Sequence, residues 1–342
     1  MHWLRNTWYQ VGWSSELEQG EMLSRTVIGT PLVLFRQSNG AVSALLDQCP
    51  HRFAPLSMGR LDGDMLVCGY HGLGFEGSGQ CALNPHGKIS KGLKVGSFPV
   101  VEKDTVIWVW LGESEAELDA VPDSSFIEAA PEHGRIYGYM PTKANYQLLT
   151  DNILDLSHAD YLHPTTLGGM MTNSQFSIEQ QGESFVLKWD SEDQAVPGAF
   201  APEIPPPQTG DFSIRVEWHA PARMILHMAA KPHSERGEFT PQSYSPTLHN
   251  MTPETETSTH YFYCATRPVN TPPPEVMALI TKSIEHAFVA EDKPILEKQQ
   301  ERIGNRDFWS LKPRMLSVDT GPVQVRRLLD KMIEKEQAQS GA

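Results

Sequence analysis

The sequence predicts an α+β protein in two parts, an all-β domain over residues 1–120 and a larger α+β domain over residues 121–342, built on an antiparallel sheet with helices. Three observations lead to this. Up to about residue 112 the chain reads as short apolar runs separated by turn residues, with no helical period. An acidic stretch with prolines, residues 113–131, then interrupts the pattern. Beyond it come longer runs of strand character and, towards the end, two segments with apolar residues at helical spacing.

In the first part, residues 26–35 and 41–46 read as strands flanking Asn39-Gly40, a dipeptide suited to a tight hairpin. Residues 65–67 and 105–111 supply further strands. Gly77-Ser78-Gly79-Gln80 is a turn only, because it lacks the strand, third glycine and helix of a dinucleotide-binding loop. In the second part, Pro197, Pro202, Pro205, Pro206 and Pro207 exclude a regular element from residues 195–210. A loop of that length serves either as an unstructured connection or as a lid over a site. The first closing helix spans residues 274–302 through Met277, Ile280, Ile284 and Phe288, with a kink expected at Pro294. The last spans residues 323–337, amphipathic through Val325, Leu328, Leu329 and Ile333.

Composition narrows the function. A net charge of −14 argues against nucleic acid and anionic membrane surfaces as partners. No apolar run approaches the ~20 residues of a spanning helix, and Met1-His2-Trp3-Leu4-Arg5-Asn6 has no signal-peptide pattern. A cytoplasmic protein is expected. Four cysteines in 342 residues do not make a disulfide framework. Cys81 lies in a glycine-rich turn without an evident partner, and Cys264, within Tyr261-Phe262-Tyr263-Cys264, reads as a buried, inert thiol.

The other two cysteines carry chemistry. Cys49-Pro50-His51 is followed, after sixteen residues, by Cys68-Gly69-Tyr70-His71. Two Cys-and-His pairs on separate short loops are what a Rieske-type [2Fe–2S] cluster requires, two thiolates on one iron and two imidazoles on the other. A Cys2His2 structural zinc site uses the same ligand types and is the alternative. Pro50, Gly69 and Gly72 favour tight loops around a buried centre.

A second constellation is Asp151-Asn152-Ile153-Leu154-Asp155-Leu156-Ser157-His158, followed by His163. Two histidines preceded by carboxylates furnish most of a 2-His-1-carboxylate triad for Fe(II), which keeps positions open for O2 and substrate. On a regular helix, however, His158 and His163 lie about 140° apart at ~100° per residue. They share a metal only if the helix loosens or ends between them, and Pro164 makes an end there reasonable. The third ligand need not be local: Asp292 and Glu291, just before Pro294, are equal candidates on pattern, and a surface salt bridge is the ordinary reading of both.

Together these constellations resemble the oxygenase component of Rieske non-haem iron oxygenases, and within them the dicamba/vanillate O-demethylase group. The resemblance runs through Arg5-Asn6-Thr7-Trp8-Tyr9, the two cluster motifs, Asn84-Pro85-His86-Gly87, Trp108-Val109-Trp110, residues 151–163, Thr252-Pro253-Glu254-Thr255-Glu256 and Glu291-Asp292-Lys293. It implies a helix-grip-like catalytic domain behind the all-β Rieske domain. It makes Cys49, His51, Cys68 and His71 the cluster ligands and His158, His163 and Asp292 the mononuclear iron ligands. Asp155 corresponds to a carboxylate that bridges a cluster histidine of one subunit to an iron-ligand histidine of the next, and Asn152 to an asparagine near the iron. The resemblance also implies a homotrimer. His249 matches a substrate-contacting histidine, and Ser283 stands where a relative carries a pocket tryptophan. Independently of the resemblance, Arg223 and His227 alternate with apolar residues in strand fashion and face either a pocket or the solvent.

The implied reaction draws electrons from a separate ferredoxin or NAD(P)H-dependent reductase and uses O2 to hydroxylate a methyl group of a small aromatic compound. On a methoxyl group this yields a phenol and formaldehyde. N-demethylation and ring dihydroxylation use the same centres and are the alternatives. An electron carrier without oxygenase activity is a further one, although it needs only the first hundred or so residues.

Overall fold

The structure, a computed structural model describing residues 3–201, 204–269 and 271–340, divides into two units, Met1–Ser124 and Ser125–Ala342. The first is all β apart from single helical turns. Its strands are β1 (Trp8–Trp13), β2 (Met22–Val27), β3 (Thr30–Arg36), β4 (Val42–Leu46), β5 (Arg60–Asp62), β6 (Met65–Val67), β7 (Gly74–Phe75), β8 (Cys81–Leu83), β9 (Ser97–Phe98), β10 (Val100–Lys103) and β11 (Val106–Trp110). They form three antiparallel sheets, ordered β1-β11-β10, β2-β3-β4-β9 and β5-β6-β7-β8.

The run expected to be one strand over residues 26–35 is two, because Ile28 (φ 44°) and Gly29 (φ 74°) form a hairpin turn between β2 and β3. Positive φ at both positions matches the twist of the flanking strands. Isoleucine is not a turn residue, so the pattern gave no sign of it. After the turn, β3 alternates between two cores. Leu32 and Leu34 pack with Val11, Ile107 and Val109. Val33 and Phe35 pack with Leu45, Leu66 and Phe75, in the core that also contains Cys49 and Cys68. A strand buried on both faces loses its polar alternation and reads as one apolar run.

The second unit contains α1 (Phe126–Ala129), β12 (Arg135–Thr142), α2 (Tyr146–Leu154), α3 (Ala159–Leu162), β13 (Gln175–Gln181), β14 (Ser184–Gln194), β15 (Gly210–His219), β16 (Arg223–Pro232), β17 (Ser245–Thr255), β18 (Ser258–Thr266), α4 (Pro274–Glu285), α5 (Lys293–Ile303) and α6 (Thr320–Ser340). All seven strands make one antiparallel sheet, ordered β12-β18-β17-β16-β15-β14-β13, so the chain is α+β as expected. Residues 195–210 hold a single helical turn, Gly198–Phe200, before β15 begins; Pro202 and Glu203 lie outside the described residues. Helix α2 packs on β17, α5 and α6. Buried Arg326 of α6 fixes the last contact, its Nε 2.9 Å from both carboxylate oxygens of Asp151 on α2 and its guanidinium 4.2 Å from the Phe308 ring centre. Among the described residues no helix is long and apolar enough to cross a membrane.

The expected helix over residues 274–302 is not one rod with a kink at Pro294. Between α4 and α5 lies a π-helical stretch, His286–Asp292, and Pro294 sits in the first turn of α5. Proline offers no N–H and its ring presses on the preceding turn, which the wider π spiral accommodates. Such stretches commonly mark functional sites.

Candidate metal centres

The two cysteine loops share one backbone pattern. In the first, the Cys49 N–H donates to Ala54 O (2.8 Å) and Cys49 O accepts from the Phe53 N–H (2.9 Å). In the second, the Cys68 N–H donates to Leu73 O (2.8 Å) and Cys68 O accepts from the Gly72 N–H (3.0 Å). The residue that closes each loop has positive φ, 59° at Phe53 and 73° at Gly72. The first loop follows β4 on the way to β5 in another sheet, and the second joins the antiparallel pair β6 and β7, so each sulfur sits on a short loop anchored at a sheet strand.

Both thiols are buried, and the His51 and His71 rings lie together, centroids 4.5 Å apart. Burial pushes the Cys49 thiol up, against the backbone N–H groups of His51 and Arg52 turned towards it, and the neighbouring Cys68 adds to the rise. Thiols in that state ionise on binding a cation. Sulfur sits beside sulfur and imidazole beside imidazole. Among the described residues, the group of three metal-ligand side chains whose donor atoms all lie within 4.8 Å of one another is a different one, in the second unit. A segregated, spread set suits a two-iron cluster and not a single zinc ion, whose four donors converge on one point.

That compact group is His158, His163 and Asp292. Helix α2 stops at Leu154 because Asp155 adopts an extended conformation (φ −127°, ψ 94°), and its carboxylate caps the next turn by accepting from the Ser157 N–H at 2.9 Å. One short helix later His163 ends the segment, its carbonyl accepting from the N–H groups of Thr166, Leu167 and Gly168. A Cβ on Gly168 would lie 3.0 Å from Pro164 Cα, so only glycine fits there without displacing backbone. This broken helix removes the 140° obstacle: the two rings sit 5.3 Å apart, with Nε2 of His158 3.5 Å and Nε2 of His163 3.2 Å from Asp292 Oδ1. The Asn152 amide turns to the same point, 3.1 Å from Asp292 Oδ1 and 3.3 Å from His158 Nε2.

Each histidine has its outer nitrogen, Nδ1, held by an oxygen. For His158 this is the Asp155 main-chain carbonyl, at 2.6 Å, and not the carboxylate. For His163 it is Glu291 Oε2, at 2.7 Å. An Nδ1–H so engaged leaves Nε2 with the lone pair that a metal needs. Burial lowers the proton affinity of His163, but Asp292 and Glu291 outweigh it and hold its pKa above the ordinary value. Two imidazoles and a carboxylate on one side form the donor set of a non-haem Fe(II) site.

The residues expected to meet a substrate divide between the two faces of the sheet. His249 of β17 is opposite Met224 and Tyr263 in register, and its buried ring packs against Tyr261 and Phe288, the latter four residues before Asp292 on the π-helical stretch. His227 is opposite Arg215 and Pro246, on the other face, 3.4 Å from Glu217. A period of two sends residues 224 and 227 to opposite sides, so the fold does not bring His227 or Arg223 to the face of His249. Ser283, on α4, donates its hydroxyl back to Leu279 O at 3.1 Å. The sequence pattern does not single out Tyr261 or Phe288, and it offers Glu291 as an iron ligand equal to Asp292, not as the partner of His163 Nδ1.

Comparison with known proteins accords with this geometry. Residues 7–99 match the model of the Rieske [2Fe-2S] domain, and residues 142–335 that of the vanillate O-demethylase oxygenase C-terminal domain. The chain belongs to the Rieske non-haem iron oxygenases. It is 38% identical to the oxygenase component of dicamba O-demethylase from Stenotrophomonas maltophilia, over 99% of this chain and 100% of that one. It is 31% identical to the iron-sulfur subunit TsaM1 of the toluene-4-sulfonate monooxygenase system of Comamonas testosteroni, over 97% and 98%. A crystal structure of dicamba monooxygenase with non-heme iron and dicamba superposes with a TM-score of 0.83 at 34% identity, covering 99% of this chain and 100% of that chain. This Rieske oxygenase is therefore the oxygenase component of a monooxygenase system, with a [2Fe–2S] cluster and a mononuclear iron, and it depends on a separate reductase or ferredoxin. The zinc and electron-carrier readings fall, because the two family matches together span both units.

Proposed function

We propose that this oxygenase O-demethylates a methoxylated aromatic acid, with Cys49, His51, Cys68 and His71 holding the cluster and His158, His163 and Asp292 the iron. When bound, the two centres supply the electrons and the activation of O2; the protein supplies binding, orientation and the exclusion of water. The observation that carries the substrate assignment is the His249–Tyr261 pair. His249 Nδ1 lies 2.6 Å from the Tyr261 hydroxyl. Burial holds the Tyr261 phenol well above its usual pKa, so the hydroxyl keeps its proton and donates it. Burial also pulls His249 down to about 3, so the ring is neutral and its one hydrogen sits on Nε2. That N–H has no partner among the described residues, and it suits an acceptor group of the substrate such as a carboxylate. Phe288, stacked on Tyr261 at 6.0 Å, gives an aromatic ring an apolar wall. Relatives named for dicamba, vanillate and toluene-4-sulfonate are consistent with an aromatic acid.

The same proposal makes the protein a homotrimer. Asp155 and His158 line an open cleft of about 650 Å³ with exposed Tyr161 and Met315 at its rim. The second oxygen of Asp155 makes no bond among the described residues. Phe53, Met58 and Tyr70, beside the cluster loops, are exposed and apolar enough to want cover. A neighbouring subunit's cluster tip seated in this cleft brings one of its histidines to Asp155, and electrons then cross between subunits.

The test is turnover with a generic reductase and a panel of methoxylated benzoates, benzenesulfonates and uncharged methoxybenzenes, following O2, formaldehyde and product mass. Formaldehyde matching O2 with the acids supports the reading. Oxygenated product without formaldehyde replaces it by hydroxylation, and equal turnover of the uncharged compounds removes the role given to His249.

A further inference from the structure

On an α-helix consecutive side chains diverge by ~100°, so Glu291 and Asp292 would not ordinarily serve one partner. In the π-helical stretch His286–Asp292 they do. Glu291 Oε2 lies 2.7 Å from His163 Nδ1, and Asp292 Oδ1 lies 3.2 Å from His163 Nε2, so one buried imidazole is held at both nitrogens by adjacent residues. The Glu291 side chain is 17% exposed, and its second contact is His286 Nε2, 3.6 Å from Oε1. Among the described residues no lysine or arginine pairs with it, which removes the surface salt bridge as an account of its position. His158, by contrast, rests on an uncharged main-chain carbonyl.

We infer that Glu291 is a positioning residue for the mononuclear iron: its carboxylate holds the Nδ1–H of His163, aims Nε2 at the metal, and by its charge makes this imidazole a stronger donor than His158. The inference rests on the ligand set proposed above. A carboxylate on the outer nitrogen of a metal-bound histidine raises ligand basicity and fixes the ring, and losing one lowers metal affinity by about 10- to 100-fold. The two histidines are then unequal ligands, one braced by a charge and the other by a dipole.

The experiment uses the full chain with the cluster intact and the mononuclear site depleted, titrated anaerobically with Co(II), whose ligand-field absorption reports both affinity and donor strength. Glu291→Ala is expected to weaken Co(II) binding by about 10- to 100-fold and shift the spectrum. Glu291→Gln keeps an acceptor for Nδ1–H without the charge, so it falls between Ala and wild type. If Glu291→Ala does not fold, Glu291→Gln decides alone: a weakened, shifted site supports the inference, and wild-type affinity with an unshifted spectrum overturns it. A lower melting temperature with unaltered Co(II) affinity and spectrum also overturns it, since that is a merely structural role. His163→Ala and Asp292→Ala run in parallel. If they bind Co(II) as wild type does, the ligand set falls and this inference with it. If they lose Co(II) while Glu291→Ala keeps it unchanged, the inference alone is wrong.

Discussion

The cluster loops repeat one backbone pattern on two short loops anchored at sheet strands, whereas the candidate iron ligands come from a broken helix and a π-helical stretch more than a hundred residues further on. The first arrangement is local, so its ligands are spaced by the geometry of a strand and a loop. The second exists only after the sheet and helices have packed, and it depends on two departures from regular helix, at Asp155 and at residues 286–292. The two regions are therefore expected to fail independently when a ligand is lost.

The largest effect tests that independence. Asp292→Ala removes one of three donors and is expected to abolish mononuclear iron and turnover, with the visible spectrum of the cluster unchanged; iron analysis and absorbance on one sample check both. His71→Cys is the mirror experiment. It is expected to keep a cluster and lower its midpoint potential by on the order of a few hundred millivolts, since imidazole ligation is what raises it, while the iron site still binds metal. If either variant disturbs the other region, the two centres are structurally coupled and do not fail independently.

Next comes Asp155, which belongs to the iron segment but is proposed to serve both centres. Its main chain holds His158 and one carboxylate oxygen caps Ser157. Asparagine retains both contacts, so Asp155→Asn is expected to bind both metals and to melt as wild type does. The role given to its carboxylate predicts turnover reduced by on the order of 10-fold or more, with the loss in electron transfer from cluster to iron measured by rapid mixing. Wild-type transfer rates would leave Asp155 as a helix cap only.

The same contrast explains what was legible in the sequence. Cys49, His51, Cys68 and His71 stand out because each Cys-and-His pair sits within one short hydrogen-bonded loop, which fixes its spacing. His158 and His163 are visible as a pair, but the helical phase of an unbroken helix argues against a shared metal, and the break at Asp155 has no periodic signature. Asp292 could not be told from Glu291 by pattern, because π-helical geometry is not encoded as a period. A buried isoleucine in an unusual conformation hides the hairpin at Ile28-Gly29, and alternation alone leaves His227 facing either a pocket or the solvent, which only strand register decides by placing it on the face opposite His249.

A moderate effect is expected at Asp160, which ties down the segment after His163. Its carboxylate accepts from the N–H groups of Gly169 (2.7 Å), Met171 (3.2 Å) and Thr172 (2.7 Å). Asp160→Ala leaves these donors without it and is expected to cost about 2 kcal/mol, read by chemical denaturation, with weaker iron retention because His163 lies at the start of this segment. Burial alone would raise the Asp160 pKa, but the bonds from Thr172, Gly169 and Met171 lower it below the ordinary 3.8. A group lowered in the folded state stabilises above its unfolded value and loses that contribution as pH falls through the folded one. Iron loss from wild type is therefore expected to steepen below about pH 4, and Asp160→Ala to lack that part of the pH dependence.

The smallest effect asks whether the two cysteine loops are truly equivalent. Gly72 and Phe53 occupy the same position in them with φ near 73° and 59°. A side chain in that conformation costs about 1 kcal/mol, and in Gly72→Ala the new Cβ would also lie 3.2 Å from Pro85 Cγ. Gly72→Ala is thus expected to destabilise by at least about 1 kcal/mol. Phe53→Gly relieves the same strain but loosens the unfolded chain, and the ring is 71% exposed, so little burial is lost; the net change is expected within about 0.5 kcal/mol. Denaturation followed at the cluster absorbance measures both. Equal costs at the two positions would mean that the shared hydrogen bonds do not make the loops energetically alike. If Phe53→Gly instead leaves stability unchanged and slows turnover, Phe53 is retained in a costly conformation for its exposed ring, which the proposed trimer places against the next subunit.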